Sequence, residues 1–194
     1  EVSLLQRAQA GDDDAFTALH AQLEPDIRRF VSRLVGYGQA AEDIVQDVMI
    51  AFYRHMARID PPENLRPYVY RIARNRCYDE LRWQGRYERL PLDDEAVRVR
   101  VSFEHATRHA QPLDEMTHWV MLGIEVREAI DRLPEAQRQA LILYSEEGFA
   151  YAEIADIMGV SIGTVKSRLY HAKKTLRALL HPQTLQYLIQ KDED

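Results

Sequence analysis

The sequence predicts an all-α protein of two small helical domains joined by a long acidic linker, and three observations carry that expectation. Apolar residues recur at spacings of three and four through both halves, and no stretch alternates for the length of a strand. Between 84 and 117 the periodicity collapses into a segment containing Pro91, Pro112 and Asp93-Asp94-Glu95. About thirty residues without an apolar stripe is too long for an ordinary loop inside one compact domain. Finally, a chain of 194 residues has room for two small units, given about 150 residues for a typical domain.

The expected first domain spans 1–90, with helices near 2–10, 15–35, 40–59 and 65–83. Pro25 is expected to kink or split the second of these, and Gly36, Gly38 and Pro61-Pro62 supply the stops between them. The linker covers 91–117. The second domain, 118–181, resumes with helices near 118–131, 135–146, 151–158 and 162–180. Residues 182–194 read as a short polar tail.

Composition excludes several classes of function. Cys77 is the one cysteine, so neither an internal disulfide framework nor a multi-cysteine zinc or iron–sulfur site is expected, which fits a reducing cytosol. No run approaches the about 18 apolar residues of a membrane span, and no basic-then-apolar leader opens the chain. No phosphate-binding or dinucleotide fingerprint occurs. Glu115 with His118 is one Glu-x-x-His pair where a diiron bundle needs two, and His105 with His109 lacks a third ligand. No catalytic residue, metal, cofactor or small-molecule substrate is therefore expected.

Net charge is -6, from 25 Lys+Arg against 31 Asp+Glu, which alone argues against a nucleic-acid partner. Its distribution reverses that conclusion. Residues 66–89 carry 7 basic and 3 acidic groups, and residues 161–181 hold Lys166, Arg168, Lys173, Lys174 and Arg177 with no acid. An acidic chain thus contains two basic islands, each inside a motif.

The second island belongs to a helix-turn-helix over 151–170. Ala155 is small where two helices approach, Gly159 suits the left-handed turn that ends the first helix, and Val160 fills the corner. Ser161 is placed to cap the second helix, whose Ile162, Val165 and Leu169 are expected to face inward. Thr164, Lys166, Ser167, Arg168, His171 and Lys173 remain outside, as hydrogen-bonding and cationic groups able to read base edges and phosphates in a major groove.

The first island lies on the helix near 65–83. Leu65, Val69, Ile72, Ala73, Cys77 and Leu81 form the expected buried stripe, which leaves Arg71, Arg74, Asn75, Tyr78 and Arg82 on another face. Trp83, Arg86, Tyr87 and Arg89 follow. Interleaved cations and aromatics suit unpaired strand, because a stacked base contributes about 1–3 kcal/mol.

These motifs resemble the extracytoplasmic-function (group IV) sigma factors of the sigma-70 family. The segment 41–48, Ala-Glu-Asp-Ile-Val-Gln-Asp-Val, is similar to the region 2 helix that docks on the polymerase clamp. Residues 65–76 resemble the segment that melts and captures the minus-10 strand, and 133–176 resemble region 4, which reads the minus-35 element. The resemblance implies polymerase contacts by Asp43, Gln46 and Asp47 while Ile44, Val48 and Phe52 anchor their helix. It implies a flipped-base pocket at Asn75, walled in part by 60–64, and minus-35 contacts by Lys166, Arg168 and His171. A larger fixed cation is usual where His171 stands, so a weaker or pH-sensitive contact is expected there. The implied partners are core RNA polymerase, promoter DNA and an anti-sigma factor, often membrane-anchored, with the chain acting in the cytoplasm. The competing reading is a stand-alone helix-turn-helix regulator, which requires an α/β sensing domain in place of the helical first half.

Overall fold

The computed structural model describes residues 1–85 and 115–191. Among them are nine α-helices and no strand: α1 Val2–Gln9, α2 Asp13–Val35, α3 Gln39–His55, α4 Leu65–Trp83, α5 Glu115–Asp131, α6 Glu135–Ser145, α7 Tyr151–Met158, α8 Ile162–Leu179 and α9 Pro182–Lys191. Short 3-10 turns at Met56–Arg58 and Pro62–Asn64 join α3 to α4. The linker expected over 91–117 lies outside the described residues apart from the first turn of α5. So do His105, His109, Arg86, Tyr87, Arg89 and the side chains of Glu115 and His118.

The chain divides into two compact units. One comprises the described part of Glu1–Leu90 together with Ile142–Val165; the other comprises the described parts of Pro91–Leu141 and Lys166–Asp194. In the first, Asp12 caps α2 by accepting the Ala15 amide at 2.9 Å, satisfying one of the donors that a helix start leaves open. Two glycines with positive φ, Gly36 at 93° and Gly38 at 147°, turn the chain from α2 into α3. That region is strained for any side chain.

Helix α2 runs unbroken through Pro25, contrary to the expected kink or split. Pro25 forfeits one backbone hydrogen bond. Burial on both sides of it, by Leu19, Leu23, Ile27, Phe30 and Val31, holds the helix together, each large apolar side chain contributing about 1.5–3 kcal/mol. Facing this stripe are Val48 and Phe52 of α3, and Leu65, Val69, Ala73, Cys77 and Leu81 of α4, all buried.

Two residues depart from the expected α4 pattern. Ile72 is only half-buried, while Tyr70 is fully enclosed, its ring 5.1 Å from Phe30 and 4.8 Å from Phe149. Helix α7 and the segment before it pack along α4, which is why the buried surface of α4 is wider than a single stripe. Gly159 ends α7 at φ 66°, ψ 39°, as the left-handed stop requires.

The second unit is built on Ala129, Ile130, Leu133, Ala136, Ala140 and Leu141 with Leu169, Ala172 and Leu180. Arg138 links Glu135 at 2.5 Å and Asp131 at 3.9 Å, tying the end of α5 to the start of α6. The segment expected to be a polar tail contains α9 instead. Glu125 of α5 accepts the His181 amide and the Thr184 hydroxyl, both at 2.7 Å, and Pro182 occupies the first helical position, where a missing amide costs nothing.

Candidate nucleic-acid interface

Three surfaces carry the residues singled out from the sequence. On α3, Asp43, Gln46 and Asp47 are all exposed, whereas Ile44, Val48 and Phe52 are buried. Gln39 donates to Asp43 at 2.8 Å. Asp47 lies 4.0 Å from Arg76 of α4, so the acidic face of α3 adjoins the basic helix. Ile50, 49% exposed, continues the same row. Its spacing from Asp43, Gln46 and Asp47 was visible in the sequence, but its apolar side chain pointed to the core.

Helix α4 brings Arg71, Arg74, Asn75, Tyr78 and Arg82 onto one surface, opposite Ala73, Cys77 and Leu81. Arg71, Asn75 and Arg82 are exposed; Arg74 and Tyr78 are half-buried. The Arg74 guanidinium sits 4.2 Å from the centre of the Tyr78 ring and donates to Asn75 Oδ1 at 3.2 Å. These contacts bring a cation, an amide and an aromatic ring together on one face of α4. Arg71 stands 5.7 Å from the Tyr68 ring, and Trp83 is 84% exposed at the helix end. The loop 60–64 enters α4 at its N-terminus, with Asn75 about 16 Å further along the axis.

On α8 the six expected residues fall into two rows. Lys166 and Lys173 are exposed, whereas Thr164, Ser167, Arg168 and His171 are half-buried. Ser161 caps the helix through the Thr164 amide at 3.1 Å and also bonds the Thr164 hydroxyl at 2.9 Å. The Arg168 Nη1 is enclosed. Val165 and Leu169 are buried as expected, but Ile162 is 46% exposed rather than inward, because it belongs to the first turn, before the covered face begins. The outermost row is Lys166, Tyr170, Lys173 and Arg177, at spacings of four, three and four, with Tyr170 64% exposed and its ring 5.3 Å from that of His171. Tyr170 and Arg177 were not singled out as contacts from the sequence, although i+4 spacing from Lys166 and Lys173 places them there.

No group of three or more metal-ligating side chains occurs among the described residues. The described residues thus present one acidic row on α3 and two cationic faces, on α4 and α8.

The sigma-70 region 2 family model matches residues 19–87, and the sigma-70 region 4 model matches residues 124–176. The chain is 32% identical over 185 residues to the ECF RNA polymerase sigma-E factor of Escherichia coli K12, covering 92% of this chain and 93% of that protein. It is 31% identical over 181 residues to the RNA polymerase sigma-H factor of Pseudomonas aeruginosa, with the same coverage. Among solved structures, the sigma factor RpoE of Bartonella quintana, in complex with the anti-sigma factor NepR, superposes with a TM-score of 0.60 at 27% identity. That match covers 84% of this chain and 95% of the other. The chain belongs to the sigma-70 family, and within it to the extracytoplasmic-function sigma factors. The region 2 match occupies the half of the chain where a stand-alone regulator would carry its α/β sensing domain, so that competing reading falls.

Proposed function

We propose that this chain joins core RNA polymerase, directs it to promoters with minus-10 and minus-35 elements, and assists strand opening. It performs no chemistry itself; the polymerase supplies the reaction. Residues 1–90 act as region 2 and 118–181 as region 4. Asp43, Gln46 and Asp47 dock on the polymerase clamp, with Ile50 extending their row. Arg71, Arg74, Asn75, Tyr78 and Arg82 engage the melted minus-10 strand. Lys166 and Lys173, with Thr164, Ser167, Arg168 and His171 beside them, engage the minus-35 groove and its phosphates.

The observation that carries this reading is the joint presence of two family regions with a cation–amide–aromatic array on one and an exposed cationic row on the other. Flipping a base costs a few kcal/mol of stacking, which the Asn75 and Tyr78 contacts offset. With net charge -6, the free chain binds arbitrary DNA weakly. Polymerase presents both modules at once, and tethering multiplies their separate affinities.

The relative that binds an anti-sigma factor supports the same kind of partner here, covering these faces until a signal arrives. No helix among the described residues is long and apolar enough to cross a membrane; the chain acts where the polymerase is, in the cytoplasm. Run-off transcription with core polymerase tests the proposal. Promoter-specific transcript that depends on the chain is expected, and transcription indifferent to it would refute the reading.

A further inference from the structure

Helix α1 carries a polar residue on its inward side. Leu5 and Ala8 are buried, and Gln9, one turn beyond Leu5 on the same side, is half-buried. Its amide nitrogen is satisfied by backbone rather than by solvent. Gln9 Nε2 donates to the Met56 carbonyl at 2.8 Å and to the Ile59 carbonyl at 3.0 Å, 47 and 50 residues away along the chain. Both carbonyls lie in the connection between α3 and α4, whose two turns close through Ile59 N to Met56 O at 3.1 Å and Asn64 N to Pro61 O at 3.0 Å. Helix α1 is itself held close by: Arg7 donates through Nε at 2.9 Å and Nη2 at 2.6 Å to Asp12, the residue that caps α2. A chain of side-chain bonds therefore runs from the start of α2 through α1 to the loop that enters α4. No part of α1 belongs to the surfaces assigned to polymerase or DNA.

What this chain of bonds holds in place is a short polar loop. Ile59 and Leu65 are buried at its two ends, whereas Asp60, Pro61, Glu63 and Asn64 between them are exposed. The two carboxylates are acceptors only, and Asn64 offers both an acceptor and donors. Acceptors of this kind suit a base edge that carries an exocyclic amine. Such groups discriminate between bases only when their backbone is held to within about 0.5 Å. Because Gln9 bonds carbonyls and not side chains, it fixes the path of the loop whatever residues the loop presents.

We propose that Gln9 is a positioning residue for minus-10 reading: it holds the 60–64 loop so that Asp60 and Glu63 meet an unpaired base bearing an exocyclic amine, cytosine or adenine. This deepens the promoter-recognition reading above and rests on it. Gln9 touches no nucleotide; its effect reaches the strand through the loop backbone.

The test pairs Gln9→Met, which keeps the side-chain length and loses both donors, with Gln9→Lys, whose ammonium restores them. Each full chain is assembled with core polymerase and mixed with single-stranded oligonucleotides randomised over the minus-10 positions, and the bound fraction is sequenced. The wild-type chain should enrich cytosine or adenine at one position, and Asp60→Ala/Glu63→Ala should lose that enrichment, which marks the base the loop reads. Gln9→Met should weaken the preference at this same position by about fivefold, the lower end of what a base-edge contact provides. Gln9→Lys should recover it. Preferences at the other positions and co-elution with core polymerase should stay as they are, whereas a merely structural role would weaken every position together. Hydrogen exchange of the free chain reads the anchor separately: the Ile59 and Asn64 amides should exchange faster in Gln9→Met. A preference at the loop's position that survives Gln9→Met, a loss that Gln9→Lys does not restore, or unchanged exchange would overturn the assignment. A wild-type holoenzyme with no base preference would instead refute the minus-10 reading, while exchange still decides whether Gln9 holds the loop.

Discussion

Replacing Lys166, Lys173 and Arg177 together by alanine should remove most of the phosphate-dependent part of minus-35 binding. The three cations occupy the outermost row of α8, are exposed, and share one face. Each cation that neutralises a phosphate of B-form duplex adds about 0.9 to the slope of log affinity against log salt. Three contacts therefore contribute about 2.7. Between 50 and 200 mM salt the wild-type complex should weaken about fortyfold more than the variant complex. The assay is fluorescence anisotropy of polymerase holoenzyme on a promoter fragment across a salt series. Arg168→Ala is the informative companion, because its guanidinium is half-buried with Nη1 enclosed. It should lower the melting temperature while changing the slope by less than one of the exposed cations does. An unchanged slope in the triple variant, or a slope change carried wholly by Arg168→Ala, would refute the assignment of the outer row to phosphates.

Asn75→Ala should leave polymerase binding intact while slowing promoter opening, read as reduced permanganate reactivity of the minus-10 strand; loss of polymerase binding would contradict the pocket assignment. Asp12 titrates below its ordinary 3.8, because the Ala15 amide and then Arg7 favour the carboxylate. Its contribution to stability is therefore complete above the ordinary value and is lost as pH falls through the lower folded one. Asp12→Asn, which keeps the cap acceptor but cannot ionise, should flatten the acid limb of the thermal-stability profile, and an unchanged limb would show that the cap is not charge-assisted.

Much of this architecture is legible in local spacing. The faces of α3 and α4 follow from Ile44, Val48 and Phe52, and from Val69, Cys77 and Leu81, because each helix buries one stripe and its period is fixed. The turn at Gly159 and the cap at Ser161 are equally local. What escaped depends on partners distant in sequence. Tyr70 reads as an amphipathic surface residue until Phe30, Phe149 and Glu147 close around it. Glu147 reads as one more acid in a polar loop, although it is the buried centre of a network drawn from α2 and α4. Ile162 has the right period for the core but stands one turn ahead of the surface that covers α8. Tyr170 shows the converse: an aromatic residue at the spacing of Lys166 and Lys173 stands exposed on the outer row of α8. In α9 the start signal at Pro182 was present, but the capping acid comes from Glu125, in another helix.

The central claim, that the exposed acidic row of α3 delivers this chain to RNA polymerase, is tested most directly by co-elution with bacterial core polymerase on a sizing column. The wild-type chain should run with the core enzyme, and the Asp43→Ala/Asp47→Ala variant, whose substitutions lie outside the packed stripe, should run free with an unchanged helical spectrum. A wild-type chain that elutes apart from the core enzyme, or a double variant that binds it equally well, would contradict the account.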